Sequence, residues 1–217
     1  MNNQKFSNSQ LAALVIIAVL AIVVVYNTAR IVSLPGTANV ISNNVIANAI
    51  DVIPKGTPAV YGAELGVKYD DVSPADQRRA DTTISILGNL DNKITLKGDD
   101  LNRYITVASK ISCEYCCGAE SIIFSNGQAA CGCAHSYAMR GLAKYLITNH
   151  RDEYTDDQIL EELGKWKVLF FPDVHATKAG VLDSQGIELN YINLASNKYR
   201  GAEKGSQASS GGMVGGC

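Results

Sequence analysis

A dense group of cysteines in the middle of this 217-residue sequence constrains its fold more than any other feature. Five of the six cysteines fall between positions 113 and 133, and a histidine follows two residues later. The pair Asn126-Gly127 lies between two short runs, residues 121–124 and 129–133, which predicts a β-hairpin. Such a turn would bring its two limbs together, so the fold must place several thiols near one another.

Within each limb, the spacing of the candidate ligands places them on one side of the backbone. The candidates are Cys113, Cys116, Cys117, Cys131, Cys133 and His135. The first three occupy positions i, i+3 and i+4 if a helix continues through this segment, and the last three alternate by two as on one face of a strand. We therefore expect up to five thiols and one imidazole to face a common volume.

Thiolate and neutral imidazole are ligands of soft transition metals, and a closed tetrahedral site needs about four of them. The sequence therefore predicts a metal site, with Zn(II) or Cu(I) as the expected ion and with structure, storage or delivery of metal as its role. Six candidate ligands exceed what one zinc ion needs. The surplus leaves open a two-metal cluster, an iron–sulfur cluster, or one metal beside a redox-active pair of cysteines.

Three other interpretations of the cysteines compete with metal binding. They are a framework of disulfides, thiol–disulfide redox or electron-transfer chemistry, and a passive scaffold. A disulfide framework is disfavoured because cysteines this close in sequence close only small loops, which stabilise little. A domain of this size can also bury a core without such crosslinks.

Charge and motifs argue against several other classes of function. The chain has 19 basic and 21 acidic side chains, which leaves no excess positive charge for a nucleic-acid partner. It contains no G-x-S-x-G, H-E-x-x-H, Walker loop or G-x-G-x-x-G motif. A cysteine nucleophile could use His135 as its base, but no third residue to orient that base is evident. We therefore expect no hydrolytic enzyme.

Changes in composition divide the chain into four segments. No charged residue occurs between Lys5 and Arg30, and residues 7–29 are apolar enough to predict a single membrane-spanning helix. This predicts a single-pass protein of the cell membrane with its domain on the extracytoplasmic side. The predicted segments are an anchor (1–30), an extended stalk (31–65), a domain carrying the Cys/His cluster (66–200) and a flexible Gly/Ser tail (201–217).

Helix-start signals dominate the predicted domain. Ser73 followed by Pro74 indicates one helix start, and Thr155 with Gln158 forms a capping-box pattern at another. Apolar residues recur at helical spacing behind both signals. The predicted fold class is therefore mainly α, with one short β-hairpin and a single N-terminal transmembrane helix.

The sixth cysteine, Cys217, follows a Gly/Ser-rich segment. A flexible chain of that length spans roughly 20–24 Å on average, enough to reach the surface of a small domain. Cys217 is therefore predicted to exchange a soft ion with the cluster or to attach the chain to a protein partner.

The run Cys131-Gly132-Cys133 followed by His135-Ser136 resembles the PCYCGC-motif family of extracytoplasmic, membrane-attached proteins. The stretch 113–145 is also similar to uncharacterised membrane-anchored, cysteine-rich proteins of archaea. The resemblance covers about thirty residues. It implies an extracytoplasmic role in metal handling, with Cys131, Cys133 and His135 as the corresponding site positions.

Overall fold

Helices form the regular structure in a computed structural model that describes residues 52–205 and 212–216. Short 3-10 turns lie at Tyr69–Asp71 and Asn197–Tyr199. In chain order, the helices are α1 (Gly62–Leu65), α2 (Gln77–Lys93), α3 (Gly98–Ala108), α4 (Ala134–Asn149), α5 (Asp156–Phe170), α6 (Pro172–Ser184) and α7 (Tyr191–Ala195).

Local capping determines where the longer helices begin. The Asp76 side chain accepts a hydrogen bond from the backbone N–H of Arg79 at the start of α2. The capping box predicted from Thr155 and Gln158 is confirmed at the start of α5. Pro172 ends that pattern and begins α6, because proline is tolerated in a first helical turn but not in a helix interior.

Helix α4 is the central element of the domain, and α2, α3 and α5 pack against it. The closest of these contacts is between α2 and α4, where the backbones approach at Gly88 and Gly141. Helices α6 and α7 pack on the other side of α5. Their small apolar core contains Val168, Ala179, Leu182, Leu194 and Ala195. The larger core, around α4, includes Cys133, which directly precedes this helix. Core packing therefore fixes the position of that cysteine.

The predicted β-hairpin is wrong: the described residues contain no β-strand, and this region has only an isolated bridge between Ile123 and Ala129. The turn itself does form, since Phe124 N–H donates to Gln128 O and Gly127 N–H donates to Phe124 O. Only the glycine has a positive φ, of 81°. The connection is therefore a three-residue loop, not the two-residue type I′ turn, and the limbs separate before a ladder can form.

The predicted transmembrane helix is not part of the described fold. No helix among residues 52–205 and 212–216 combines the length and apolar character needed to cross a membrane. The proposed anchor at residues 7–29 and most of the stalk lie outside the described residues. The fold class is accordingly corrected to a helical domain, without the expected hairpin or spanning helix in the described part of the chain.

A histidine just after α4 is expected to make stability depend on pH. His150 Nδ1 lies 2.8 Å from Glu153 Oε1, and its Nε2 lies 3.0 Å from Glu64 Oε2. Burial alone lowers the pKa of His150, but hydrogen bonds and negative charge from the two glutamates outweigh burial and raise it. A raised folded-state pKa means that the charged histidine stabilises the fold below the unfolded-state pKa. This contribution is lost as the pH rises through the folded-state value.

The substitution His150→Gln should therefore destabilise the domain more in acid than in base. The measurement is the free energy of unfolding of both proteins at about pH 5 and about pH 9, on either side of the ordinary histidine pKa. A stability loss that is the same at both pH values would contradict the assignment of His150 as the charged partner.

Candidate functional site

The first limb of the site is a turn that follows α3. Helix α3 ends at Ala108, so it does not continue through the cysteines as the spacing argument assumed. A separate turn produces the same arrangement, because the N–H groups of Cys116 and Cys117 point to Cys113 O at 3.4 and 3.3 Å. The turn therefore brings the three cysteines of this limb together, as a helix would have done.

The second limb ends at the first turn of α4, where Cys133 is the N-cap residue. Its sulfur accepts a hydrogen bond from the backbone N–H of Ser136 at 3.4 Å and lies 3.3 Å from the Ser136 hydroxyl. A sulfur at this position takes the place that a serine or aspartate oxygen usually has at a helix start. The positive end of the helix dipole favours a thiolate there.

Sulfur atoms from the two limbs converge. Cys133 Sγ lies 3.3 Å from Cys113 Sγ and 3.5 Å from Cys131 Sγ. Two groups of three cysteines each have all their sulfur atoms within 4.8 Å of one another. The first group is Cys113, Cys116 and Cys133, and the second is Cys117, Cys131 and Cys133. The expected convergence of the limbs is present, and the cysteine groups could hold a metal ion.

The cysteines differ in oxidation state. Cys117 and Cys131 form a disulfide that links the two limbs, and Cys116 is disulfide-bonded as well. Cys113 and Cys133 are free thiols among the described residues. The structure thus shows the cluster in an oxidised form, with two free sulfurs beside the disulfide that joins the limbs.

The two free sulfurs are hydrogen-bonded to each other, with Cys133 Sγ 3.3 Å from Cys113 Sγ. The hydrogen bond with Cys113 lowers the pKa of Cys133, against the opposing effect of burial, with help from His135 and Ser136. The same hydrogen bond and burial raise the pKa of Cys113 well above its usual range. These opposite shifts favour the thiolate form at Cys133 over the thiolate form at Cys113.

His135 lies beside the cysteines but uses one ring nitrogen elsewhere. Its Nε2 is 2.8 Å from the Val214 carbonyl oxygen, which can only accept, so Nε2 carries the hydrogen. The ring also hydrogen-bonds Cys133 and packs against Phe170 and Phe171. The described groups with metal-binding spacing contain only cysteines. The role of His135 as a ligand stays a prediction.

The segment Gly212–Gly216, defined here as the docked segment, packs against the domain beside His135. Val214 is fully buried, and its N–H donates to Phe170 O at 2.9 Å. Gly215 and Gly216 donate from their backbones to the side chains of Gln77 and Asp81 at the start of α2. This segment therefore covers the side of His135 that faces away from the cysteines. Cys217, which was predicted to exchange an ion with the cluster or to attach the chain to a protein partner, lies outside the described residues.

A buried ion pair fixes the first limb to the rest of the domain. Lys167 of α5 is fully buried, and its Nζ donates to Glu114 Oε1 at 3.1 Å and to Ala195 O at 2.8 Å. Burial lowers the pKa of Lys167 to about 8, although the negative charge of Glu114 opposes this shift. Because Glu114 directly follows Cys113, the pair holds the backbone of the cysteine turn against α5.

Arg140 of α4 fixes the second limb to the rest of the domain. Its NH1 group donates to Cys131 O at 2.8 Å and to Ile122 O at 3.3 Å, while its Nε donates to Asp91 of α2 at 2.8 Å. One buried guanidinium therefore joins α2, α4 and the cysteine-bearing loop. The position of Cys131 is determined by the core and not by the loop alone.

The cluster is open to solvent on one side. Cys113, Cys131 and Cys133 are buried, Cys116 is half-buried and Cys117 is exposed. An ion or a small reductant can therefore reach the site past Cys117. The enclosed side contains the two free sulfurs, those of Cys113 and Cys133.

The sequence arguments did not identify Arg140, Glu114 or Lys167, because a charged residue normally indicates a solvent-exposed face. They also did not identify Cys133 as the cap of α4. A signal was available, since Cys133 and Ser136 have the spacing of an N-cap residue and its N3 partner.

The chain matches no protein-family model, no curated protein and no solved structure.

Proposed function

We propose that the cysteine cluster, once reduced, binds a soft transition-metal ion, Zn(II) or Cu(I). The bound ion would stabilise the domain, or the protein would store or deliver it. The observation that supports this is the mutual approach of sulfur atoms, all within 4.8 Å, in two groups of three. Sulfur atoms around a tetrahedral zinc lie about 3.8 Å apart, given a Zn–S distance of about 2.3 Å. The separations of 3.3 and 3.5 Å, between sulfurs that are not bonded to each other, need only small adjustments to accept an ion. The bonded sulfurs of Cys117 and Cys131 must first be reduced and move apart.

Reduction controls this activity, because a sulfur in a disulfide cannot act as a thiolate ligand. An external dithiol would transfer two electrons and two protons to the Cys117–Cys131 bond and become a disulfide itself. Cys117 and Cys131 would then be thiols, a second dithiol would reduce the disulfide of Cys116 in the same way, and metal binding would release the thiol protons to solvent. Exposure of Cys117 provides the reductant with a point of attack.

The experiment is anaerobic titration of the reduced full-length chain with Co(II), a spectroscopic substitute for Zn(II). We expect thiolate-to-Co(II) charge-transfer absorption that Zn(II) displaces. Cys133→Ser should weaken binding more than about 100-fold, which exceeds the usual cost of losing an outer-shell partner. The matched control is Ser112→Ala, a substitution of a buried residue beside Cys113 that removes no thiol. Equal binding by the reduced protein and by Cys133→Ser would contradict the proposal.

A second candidate function is thiol–disulfide exchange, and the short distance from Cys133 to the existing disulfide favours it. The Cys133 sulfur lies 3.5 Å from Cys131 Sγ. Attack there would form a Cys131–Cys133 bond, break the Cys117–Cys131 bond and release Cys117 as a thiolate that takes a proton from solvent. Thiols that cycle with dithiothreitol in a protein that binds no metal would favour this alternative.

A membrane location is a further part of the proposal that depends on the sequence alone. It comes from the apolar residues 7–29, which lie outside the described residues, and from the resemblance of the run Cys131–Ser136 to membrane-attached proteins. Fractionation of cells expressing the full-length chain, with and without residues 1–30, tests it.

A further inference from the structure

The two cysteine groups have one member in common. Cys133 belongs to both, while the other two members of each group do not overlap. One group takes both of its remaining sulfurs from the turn after α3, at Cys113 and Cys116. The other takes one sulfur from each limb, at Cys117 and Cys131. Cys133 therefore lies between two separate pairs of sulfur atoms.

The position of Cys133 is well fixed for a shared role. Its side chain caps α4, and its sulfur lies 3.3 Å from a member of one pair and 3.5 Å from a member of the other. A thiolate sulfur has several lone pairs and can bind two metal ions at once. Five sulfurs are also more than a single tetrahedral ion needs.

We infer that the fully reduced cluster binds two soft metal ions, with Cys133 as the bridging thiolate. One ion is held by Cys113, Cys116 and Cys133, and the other by Cys117, Cys131 and Cys133. Three thiolates per ion suit Cu(I), which soft sulfur ligands select. This inference rests on the proposed function and names the number of ions and the role of each sulfur.

The surroundings of the cluster fit the negative charge that such a site carries. Five thiolates with two Cu(I) ions have a net charge of −3. The N-terminus of α4 directs its positive end toward Cys133. Lys167 is fully buried near Cys113 and acts on it through its positive charge. Both features lie on the enclosed side, where solvent screens charge least.

The test is the stoichiometry of Cu(I) in the reduced full-length chain, measured by native mass spectrometry with a Cu(I) chelator as competitor. All proteins carry Cys217→Ser, so that only the five clustered cysteines are counted. We expect a species with two Cu(I) ions. Binding of one ion only would overturn the inference and leave the proposed function intact. Binding of no Cu(I) would overturn the inference, and the proposed function would fall as well if the Co(II) titration were also negative.

Single cysteine-to-serine variants test whether Cys133 is the bridging ligand. Cys116→Ser and Cys117→Ser each remove a sulfur from one group only, so each should retain one tightly bound ion. Cys133→Ser removes a sulfur from both groups and should weaken the binding of both ions. A Cys133→Ser protein that still binds two ions would overturn the bridging role. Circular dichroism of each variant establishes that it is folded, and the stoichiometry of the parent protein tests the two-ion site even if a variant does not fold.

Discussion

Gly141→Ala is expected to lower the free energy of unfolding by about 3 kcal/mol or more, at the upper end of the cost of overpacking a core. A Cβ atom at this position of α4 would lie 2.0 Å from the carbonyl oxygen of Leu87 and 2.9 Å from the backbone nitrogen of Asp91. Both are backbone atoms of α2, so no side chain can rotate away. The two helices would have to separate, and equilibrium denaturation would measure the loss.

Gly88→Ala is the matched control, because Gly88 lies in the same interface on α2. The nearest atom to its new Cβ would be Tyr137 Cβ, at 3.3 Å, which leaves room for a small adjustment. The gain in helix propensity, about 1 kcal/mol, offsets this contact. If Gly141→Ala were as stable as Gly88→Ala, the close approach of α2 and α4 would be disproved.

Asp91→Asn is expected to cost about 3 to 5 kcal/mol, the usual penalty for removing one partner of a buried ion pair. The carboxylate lies 2.8 Å from Arg140 Nε and 2.7 Å from Lys144 Nζ, and its side chain is only 7% exposed. The amide keeps the shape but removes the negative charge, which leaves the guanidinium buried without a counter-ion. Denaturant unfolding of the metal-free protein measures this loss.

The same substitution should also weaken metal binding by the reduced protein, because Arg140 holds the Cys131 carbonyl. Asp100→Asn is the control for charge removal alone. Asp100 pairs with Arg151 at the surface, where both side chains are at least 30% exposed. That loss should stay below about 1 kcal/mol. An Asp91→Asn protein as stable as Asp100→Asn would show that the buried pair contributes little.

The sequence predicts those parts of the fold whose causes are local. The capping box at Thr155 and Gln158 involves residues three apart, and the structure has it as predicted. The hairpin prediction failed because Asn126-Gly127 determines only the turn. Whether strands follow depends on pairing along both limbs, and here the second limb leads at once into α4.

In the candidate site, too, the features with local causes were predictable and those that depend on distant residues were not. Spacing within each limb and the turn between the limbs were enough to predict that the cysteines meet. The partners of His135 were not predictable, because Val214 is 79 residues away in sequence. The disulfide between Cys117 and Cys131 was equally inaccessible, since many pairings of the cysteines were compatible with the sequence.

The docked segment has a practical consequence for handling the protein. Because Val214 is buried and Gly216 donates to Asp81, a purification tag fused shortly after these residues would compete with their contacts. It would also disturb the carbonyl that orients His135. Affinity handles and fluorescent fusions are therefore better placed away from this segment, and proteins tagged at different positions should be compared before any metal content is interpreted.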